Sequence, residues 1–246
     1  QRTAECRQLL ALAEARRRVL MVGHVYLYNA AVRKVKELID AGVLGRIYYV
    51  YAQRLNLGII RQDVNAMWNL APHDISVLNY WLGTTPTTVF ARGYGYVQPS
   101  IEDVVFITLE YPGGIAANIH VSWLDPQKVR RITVVGGDRM VVLDDANPEA
   151  RVVIYEKRAV TSHACTGSGG GCPKWAVKGV ATESGDIVIP NIPIEEPLKV
   201  ECRHFIECIS QGTEPLSSGT EGLRVVRVLE AADAALRSGT PVAITG

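Results

Sequence analysis

The chain has 246 residues, of which 48% are hydrophobic, so it is long enough for one large domain with a sizeable core. Its 26 basic and 25 acidic side chains leave a formal charge of +1, which argues against nucleic acid as the main partner. No apolar run approaches the roughly 20 residues of a transmembrane helix, and the first residues show no signal-peptide pattern. We therefore expect a cytoplasmic protein without a membrane partner.

The cysteine count supports this location. The chain has an odd number of cysteines and is large enough to be stable without disulfide bonds. The five cysteines are Cys6, Cys165, Cys172, Cys202 and Cys208. Such a count favours reduced thiols over a disulfide framework.

The first 24 residues have the pattern of a helix followed by a strand. Residues 3–17 place alanine and leucine at helical spacing, and 19–23 are short and continuously apolar, which is typical of a strand buried on both faces of a parallel sheet. Such a strand needs parallel neighbours with crossover helices, and the later sequence shows no such alternation. We expect residues 1–24 to be the remnant of a truncated doubly wound domain. The alternative is an N-terminal helix and edge strand that dock on the next domain.

Residues 25–246 predict an α+β domain. Helices are expected at 30–41, 198–211 and 220–237, and strands at 47–55, 87–97, 102–111, 114–124, 129–136, 139–144, 151–156 and 241–244. The glycines of turns 111–114 and 136–138 supply positive φ angles, so consecutive strands should pair antiparallel. Strands followed by helices predict a mostly antiparallel, open-faced sheet with helices on one face.

The open face of this sheet should be apolar enough to favour self-association. Along one strand, Val105, Ile107 and Leu109 alternate with Phe106 and Thr108. Because the second set would face away from the helices, we expect a homo-oligomer that forms through this face.

A glycine-rich loop joins the strands to the last helices. Residues 163–173 contain one histidine and two cysteines separated by six residues, with no Gly-Lys-Ser/Thr ending. Neither a zinc site nor a phosphate-binding loop has this spacing. We interpret the segment as a surface loop and expect no metal site.

The most informative segment is Trp68-Asn-Leu-Ala-Pro-His73-Asp74, which runs into an apolar helical stretch. We expect the helix to begin near His73, where the partial positive charge of a helix N-terminus would keep the imidazole neutral and ready to act as a general base. Asn69, one turn earlier, would orient His73, hydrogen-bond a reacting hydroxyl or simply cap the helix. A structural histidine is the alternative for His73.

Several short motifs carry a resemblance to a known family. They are Val22-Gly23-His24 with Tyr28-Asn29, Gly42-Val-Leu-Gly-Arg-Ile47, and Gly185-Asp-Ile187 with Glu196-Pro-Leu198. Over its whole length the chain resembles the C-terminal part of a Gfo/Idh/MocA-type oxidoreductase. Segments 53–58, 68–74 and 101–106 are most similar to the branch that oxidises UDP-N-acetylglucosaminuronate at the sugar 3-hydroxyl.

The resemblance implies an NAD- or NADP-dependent dehydrogenase of a sugar or sugar nucleotide, in which His73 takes the hydroxyl proton. Family members use a Glu-Lys-Pro lysine and an aspartate four residues before the histidine; here Asn69 stands in the aspartate's place, and neither Glu-Lys-Pro nor Gly-x-Gly-x-x-Gly occurs. We expect both motifs in a preceding Rossmann domain, so that the fragment is inactive and binds no cofactor tightly. The alternatives are a non-catalytic sugar-nucleotide-binding or oligomerisation module, and a dehydrogenase of inositol or a simple sugar.

Other side chains are candidates for the substrate pocket. Arg54, with Arg61, has the geometry to bind a uronate carboxylate or a diphosphate. A sugar ring would be lined by Tyr28, Asn29, Asn65 and Trp68, although Trp68 fits the core equally well. A last set shows no metal-ligand spacing, so we expect structural roles for His24, His120 and His204.

Overall fold

A computed structural model describes residues 2–160 and 181–244. Within these ranges nine strands form one mixed, mostly antiparallel sheet, and five α-helices accompany it. The α+β class and the open-faced sheet with helices on one face are confirmed. The loop at 163–173, with Cys165 and Cys172, lies outside the described residues, whereas Cys6, Cys202 and Cys208 are free thiols.

The elements follow the predicted order closely. The helices are α1 (Thr3–Ala15), α2 (Ala30–Asp40), α3 (Ala66–Leu82), α4 (Pro197–Gln211) and α5 (Gly219–Ser238). The strands are β1 (Ile47–Leu55), β2 (Thr88–Tyr94), β3 (Val104–Tyr111), β4 (Ile115–Ser122), β5 (Val129–Gly136), β6 (Met140–Asp144), β7 (Val152–Val160), β8 (Ala181–Val188) and β9 (Val242–Ala243). The sequence pattern missed β8, in which charged and small residues interrupt the apolar alternation.

Strand β1 occupies the centre of the sheet, whose order is β8-β7-β6-β5-β1-β4-β3-β2-β9. It pairs parallel with β4 and antiparallel with β5. The prediction that all consecutive strands pair is therefore wrong for β4 and β5, because β1 lies between them. The parallel pairing is possible because the chain passes through α3, β2 and β3 before it returns as β4.

The two faces of the sheet differ as the alternation predicts. Val105, Ile107 and Leu109 are fully buried beneath the helices, whereas Phe106 and Thr108 are exposed on the other face. Within residues 2–160 and 181–244, no helix covers that second face. Nor is any helix in the described ranges long and apolar enough to cross a membrane.

The predicted strand at 19–23 does not form. Met21 makes one isolated antiparallel bridge with Ser218, and the Val22 amide donates to the Ser217 carbonyl over 2.8 Å. The described ranges offer this segment no parallel strand with which to pair. It runs instead beside the start of α5, where a Cβ on Gly222 would meet the Val22 side chain.

The two predicted glycine turns have different causes. Gly113 and Gly114 have φ of 79° and 76°, as predicted. Gly136 has no positive φ, which corrects the second prediction. A Cβ on Gly136 would instead collide with the carbonyl oxygen of Leu44, so a glycine is required there for space.

Candidate active site

The helix that carries His73 begins earlier than the sequence suggests. Asn65 is the N-cap of α3, and its side chain accepts the Trp68 amide over 3.0 Å. His73 therefore lies two turns inside the helix, and the predicted start near His73 is wrong. Pro72 gave the misleading signal: proline favours a first helical turn, but here the helix continues through it.

The His73 imidazole is neutral for a reason other than the helix dipole. Burial lowers its pKa to about 4, and the positive charge of Arg54 is the second cause. The dipole effect fades within the first turn, so it contributes little two turns in. The ring is partly exposed and lies 5.8 Å from the Tyr26 ring, between centroids. Its buried Nδ1 has no hydrogen-bond partner among the described residues.

A buried ion pair lies next to His73. Arg54 of β1 donates from Nε and Nη2 to the two carboxylate oxygens of Asp74, over 2.8 and 2.9 Å. The two residues are 6% and 1% exposed. A charge buried this deeply needs a partner, and Asp74 is that partner. The predicted use of Arg54 to bind a ligand anion is therefore corrected, because its guanidinium is engaged inside the protein.

Tyr26 completes the packing around this pair. The guanidinium of Arg54 lies over the Tyr26 ring, 4.4 Å from its centroid, and the Tyr26 hydroxyl donates to Asp145 Oδ2 over 2.6 Å. Burial raises the pKa of Tyr26 to about 12, so the phenol keeps its proton. The sequence reasoning missed Tyr26, although it lies beside the Tyr28-Asn29 motif.

Asn69 lies one turn before His73 on the same face of α3. Its Oδ1 accepts the indole N–H of Trp123 over 3.1 Å, so its predicted role as a cap belongs to Asn65 instead. Its side-chain NH₂ donates to no described residue and is available to a bound hydroxyl.

Two of the predicted pocket residues are engaged inside the protein. Tyr28 is buried, and its hydroxyl lies 3.0 Å from Ser217 Oγ. Asn29 accepts the Ala31 amide as the N-cap of α2 and donates to Asp145 Oδ1 over 3.0 Å. These contacts correct the prediction that both face a sugar ring.

Three further predicted residues are held by partners of their own. Arg61 is exposed and paired with Asp63. Asn65 and Trp68 line a separate cavity of about 520 Å³, where they donate to Glu102 and Asp233 respectively, each over 2.8 Å. The structure thus brings His73, Asn69 and Arg54 together, while Trp68 lines both this cavity and a second one that includes His24 and Pro72.

The remaining histidines have three different surroundings. His24 is 6% exposed and its Nε2 lacks a described partner; burial, followed by the neighbouring His73, lowers its pKa to about 4. His120 stacks on Phe106 at 4.3 Å on the open face. His204 accepts the Leu216 amide over 3.0 Å. The described ranges contain no cluster of His, Cys, Asp or Glu that would hold a metal ion.

These residues fit the substrate side of a hydride transfer better than the cofactor side. A neutral imidazole and a free amide donor suit an alcohol that loses a proton. In the part of the chain that the structure describes, no strand leads through a glycine-rich turn into a helix N-terminus, the arrangement that holds a dinucleotide pyrophosphate.

A comparison with known protein families matches part of the chain to one of them. Residues 32–142 match the profile of the GFO/IDH/MocA C-terminal domain. The match runs from α2 through β6 and includes Arg54, Asn69, His73 and Asp74. This stretch of the chain is therefore similar to the C-terminal domain of the Gfo/Idh/MocA oxidoreductases.

Curated relatives are distant but extend along most of the chain. The uncharacterized oxidoreductase YrbE of Bacillus subtilis is 24% identical over 95% of the chain and 66% of its own length. UDP-N-acetylglucosamine 3-dehydrogenase of Acidithiobacillus ferrooxidans is 24% identical over 91% and 64%, and scyllo-inositol 2-dehydrogenase (NAD(+)) of B. subtilis is 22% identical over 91% and 62%. The chain thus spans just under two thirds of the length of these relatives.

Solved structures share the fold at similar distance. An oxidoreductase domain protein from Kribbella flavida superposes with a TM-score of 0.80 at 18% identity, covering 100% of this chain and 72% of that one. The WlbA dehydrogenase from Bordetella pertussis, in complex with NADH and UDP-GlcNAcA, superposes with a TM-score of 0.74 at 20% identity, covering 100% and 70%. At these identities the likeness establishes the fold alone.

Removal of one partner of the buried pair should be much more harmful than removal of both. We expect Arg54→Met to lower the free energy of unfolding by about 3–5 kcal/mol, because it leaves Asp74 buried and unpaired, and the double variant with Asp74→Leu to recover most of that loss. Urea unfolding measures both. The exposed pair supplies the control, since Arg61→Met breaks an ion pair that is surrounded by water and should leave the free energy of unfolding nearly unchanged. A loss below 1 kcal/mol for Arg54→Met would contradict this account of the pair.

Proposed function

We propose that this chain is the substrate domain of an NAD(P)-dependent oxidoreductase that oxidises a hydroxyl of a sugar or sugar nucleotide. The observation that carries the proposal is a neutral, partly exposed His73 inside the stretch that matches the GFO/IDH/MocA C-terminal domain. The finer assignment is the 3-hydroxyl of UDP-N-acetylglucosaminuronate. Support for it comes from the resemblance of segments 53–58, 68–74 and 101–106, from the ligands bound to WlbA, and from the activity of the A. ferrooxidans relative.

His73 accepts the hydroxyl proton in this proposal. Its Nδ1 is buried, so Nε2 is the ring nitrogen that faces a substrate. Nε2 is a proton acceptor when the neutral ring carries its hydrogen on Nδ1. Because the pKa of His73 is about 4, the ring is unprotonated throughout the neutral pH range and is ready to accept.

Asn69 positions the reacting alcohol. Because Trp123 holds the side-chain oxygen, the NH₂ group remains to donate to an oxygen of the sugar. An amide adds no charge, so it leaves the low pKa of His73 undisturbed, unlike the carboxylate that other family members carry at this position.

The cofactor supplies hydride acceptance when it is bound, as NAD or NADP. We place its binding in a Rossmann domain to which residues 1–24 belong, with α1 packed along α5 and Thr3 hydrogen-bonded to Glu230. The chain by itself then binds the sugar without turning it over. His24, which lies beside His73, is at the junction of the two domains.

A second copy of the chain covers the open face in this proposal. Tyr49, Tyr51 and Phe106 are 49%, 36% and 40% exposed there. Exposed aromatic side chains on β1 and β3, which are separated only by β4, make a patch of the kind that homo-oligomers bury.

Loss of the imidazole should abolish turnover while leaving substrate binding intact. We expect His73→Ala to lower kcat by about 100- to 10,000-fold, because a general base is lost, with little change in substrate affinity. Initial rates with UDP-GlcNAcA, UDP-GlcNAc and scyllo-inositol, in the full natural chain, measure this effect and identify the substrate. His120→Ala, on the opposite face of the sheet, is the control for loss of a histidine.

The result that would refute the base role is an unchanged kcat for His73→Ala. If the wild-type protein binds the sugar nucleotide but reduces neither NAD nor NADP with any of the three substrates, the domain is a binding module and the dehydrogenase proposal fails.

A charge on the open face should separate the subunits. We expect Phe106→Asp to convert the oligomer to a monomer, because it would bury an unpaired carboxylate at the interface. Light scattering after size exclusion measures the mass. Ile59→Asp is the control, since Ile59 is 86% exposed in a loop. A wild-type protein that is monomeric at micromolar concentration would rule out this interface.

A further inference from the structure

Two arginines face each other next to the candidate active site. In the register of β1 with β5, Arg54 lies directly opposite Arg130, so the two side chains emerge on the same face of the sheet. Like charges at directly opposite positions destabilise a sheet unless each is balanced. The two arginines are balanced to very different extents.

Arg54 is fully paired, as described above, by two hydrogen bonds to Asp74. Arg130 is not. The carboxylate nearest to it is Asp145, at 3.7 Å between Nη1 and Oδ2, which is beyond hydrogen-bond distance. Both oxygens of Asp145 already accept shorter bonds, from Tyr26 and Asn29.

Arg130 thus makes a long ion pair with Asp145 but keeps its guanidinium hydrogens for a ligand. It donates to no acceptor within residues 2–160 and 181–244, and its side chain is 39% exposed. The next residue is different, since Arg131 projects to the opposite face of the sheet and donates to Asp144 over 3.0 and 2.6 Å. Arg131 is thus hydrogen-bonded to a carboxylate, whereas its neighbour Arg130 makes only the longer contact with Asp145.

The position of Arg130 links it to the chemistry of His73. Burial and Arg54 are the larger causes of the lowered pKa of the imidazole, and the charge of Arg130 adds to them. Arg130 is thus near enough for its field to act on the ring. The contacts agree with this, since Asp145 next to Arg130 accepts the Tyr26 hydroxyl, and the Tyr26 ring lies 5.8 Å from the His73 ring, between centroids.

We propose that Arg130 binds the anionic group of the substrate and so selects acidic sugars or sugar phosphates. The planar guanidinium binds two oxygens of a carboxylate or phosphate at once, which fixes direction as well as distance. The inference rests on the proposed function and deepens it. It also transfers to Arg130 the role that the sequence assigned to Arg54 and Arg61.

Binding to variants of the full natural chain tests this assignment. We expect Arg130→Gln to weaken the affinity for UDP-GlcNAcA by about tenfold to a hundredfold, since hydrogen bonds to a charged group are lost. Arg130→Lys should restore part of the affinity, because it keeps the charge but not the paired donors. Arg131→Gln is the control and should have wild-type affinity. Calorimetry measures binding, and thermal unfolding confirms that each variant is folded.

Three ligands identify the anion. If Arg130 holds the carboxylate, Arg130→Gln weakens binding of UDP-GlcNAcA and leaves UDP-GlcNAc unaffected. If it holds the diphosphate, UDP-GlcNAcA, UDP-GlcNAc and UDP lose affinity alike. Both results support an anion site at Arg130. The proposal is overturned if Arg130→Gln binds all three like the wild type, if Arg131→Gln loses as much, or if the wild type binds none of them.

The same measurements separate this inference from the proposed function. An Arg130-dependent affinity without any hydride transfer would refute the dehydrogenase and keep the anion site. Turnover with normal kcat/KM in Arg130→Gln would keep the dehydrogenase and refute the anion site.

Discussion

The candidate site depends on the buried ion pair between Arg54 and Asp74. The pair joins the central strand β1 to helix α3, and neither charge is exposed to water. Because a buried charge without its partner is very unfavourable, the pair fixes how α3 lies on the sheet. Asp74 directly follows His73, so the same interaction determines where the imidazole is placed. The Tyr26 ring packs against the Arg54 guanidinium and is the third group in this arrangement.

This arrangement gives His73 its chemistry. Burial removes the water that would stabilise an imidazolium, and Arg54 lies close enough to oppose a second positive charge. The result is a base that remains neutral well below pH 7. The Tyr26 hydroxyl extends the network to Asp145, and Asp145 in turn makes a long ion pair, without a hydrogen bond, with Arg130. Proton acceptance and anion binding are thus adjacent parts of one network.

The sequence predicted those features that depend on local pattern. Apolar spacing located α2, α4 and α5, and strict alternation in residues 104–111 separated the buried face of β3 from the exposed one. The apolar helical run after residues 68–74 directed attention to His73 and Asn69, and the resemblance to the family then implied a role for His73. Local pattern failed where strand formation or strand order depends on residues that are distant in the sequence. Residues 19–23 form no strand because the described ranges offer them no partner strand. Strand β1 is central because β4 pairs with it after three intervening elements.

The wrong predictions about site residues have the same cause, because the partner that decides each one is distant in the sequence. Nothing near Arg54 in the sequence indicates that Asp74 will pair with it, 20 residues later. Nothing near Tyr26 or Asn29 indicates Asp145, more than 100 residues away. A proline within a helix also misplaced the start of α3, and with it the reason for the neutral imidazole. The sequence showed which residue types have the chemistry for a functional site. Their hydrogen-bond and ion-pair partners could be identified only in the three-dimensional structure.

The most direct test is the titration of the His73 ring by NMR, with the full natural chain labelled at histidine and the resonance assigned by His73→Asn. The account predicts no titration of this ring between pH 8 and about 5.5 and a midpoint near the low pKa of about 4. A midpoint of about 6.5, the value of an imidazole in water, would show that neither burial nor the Arg54–Asp74 pair controls the base.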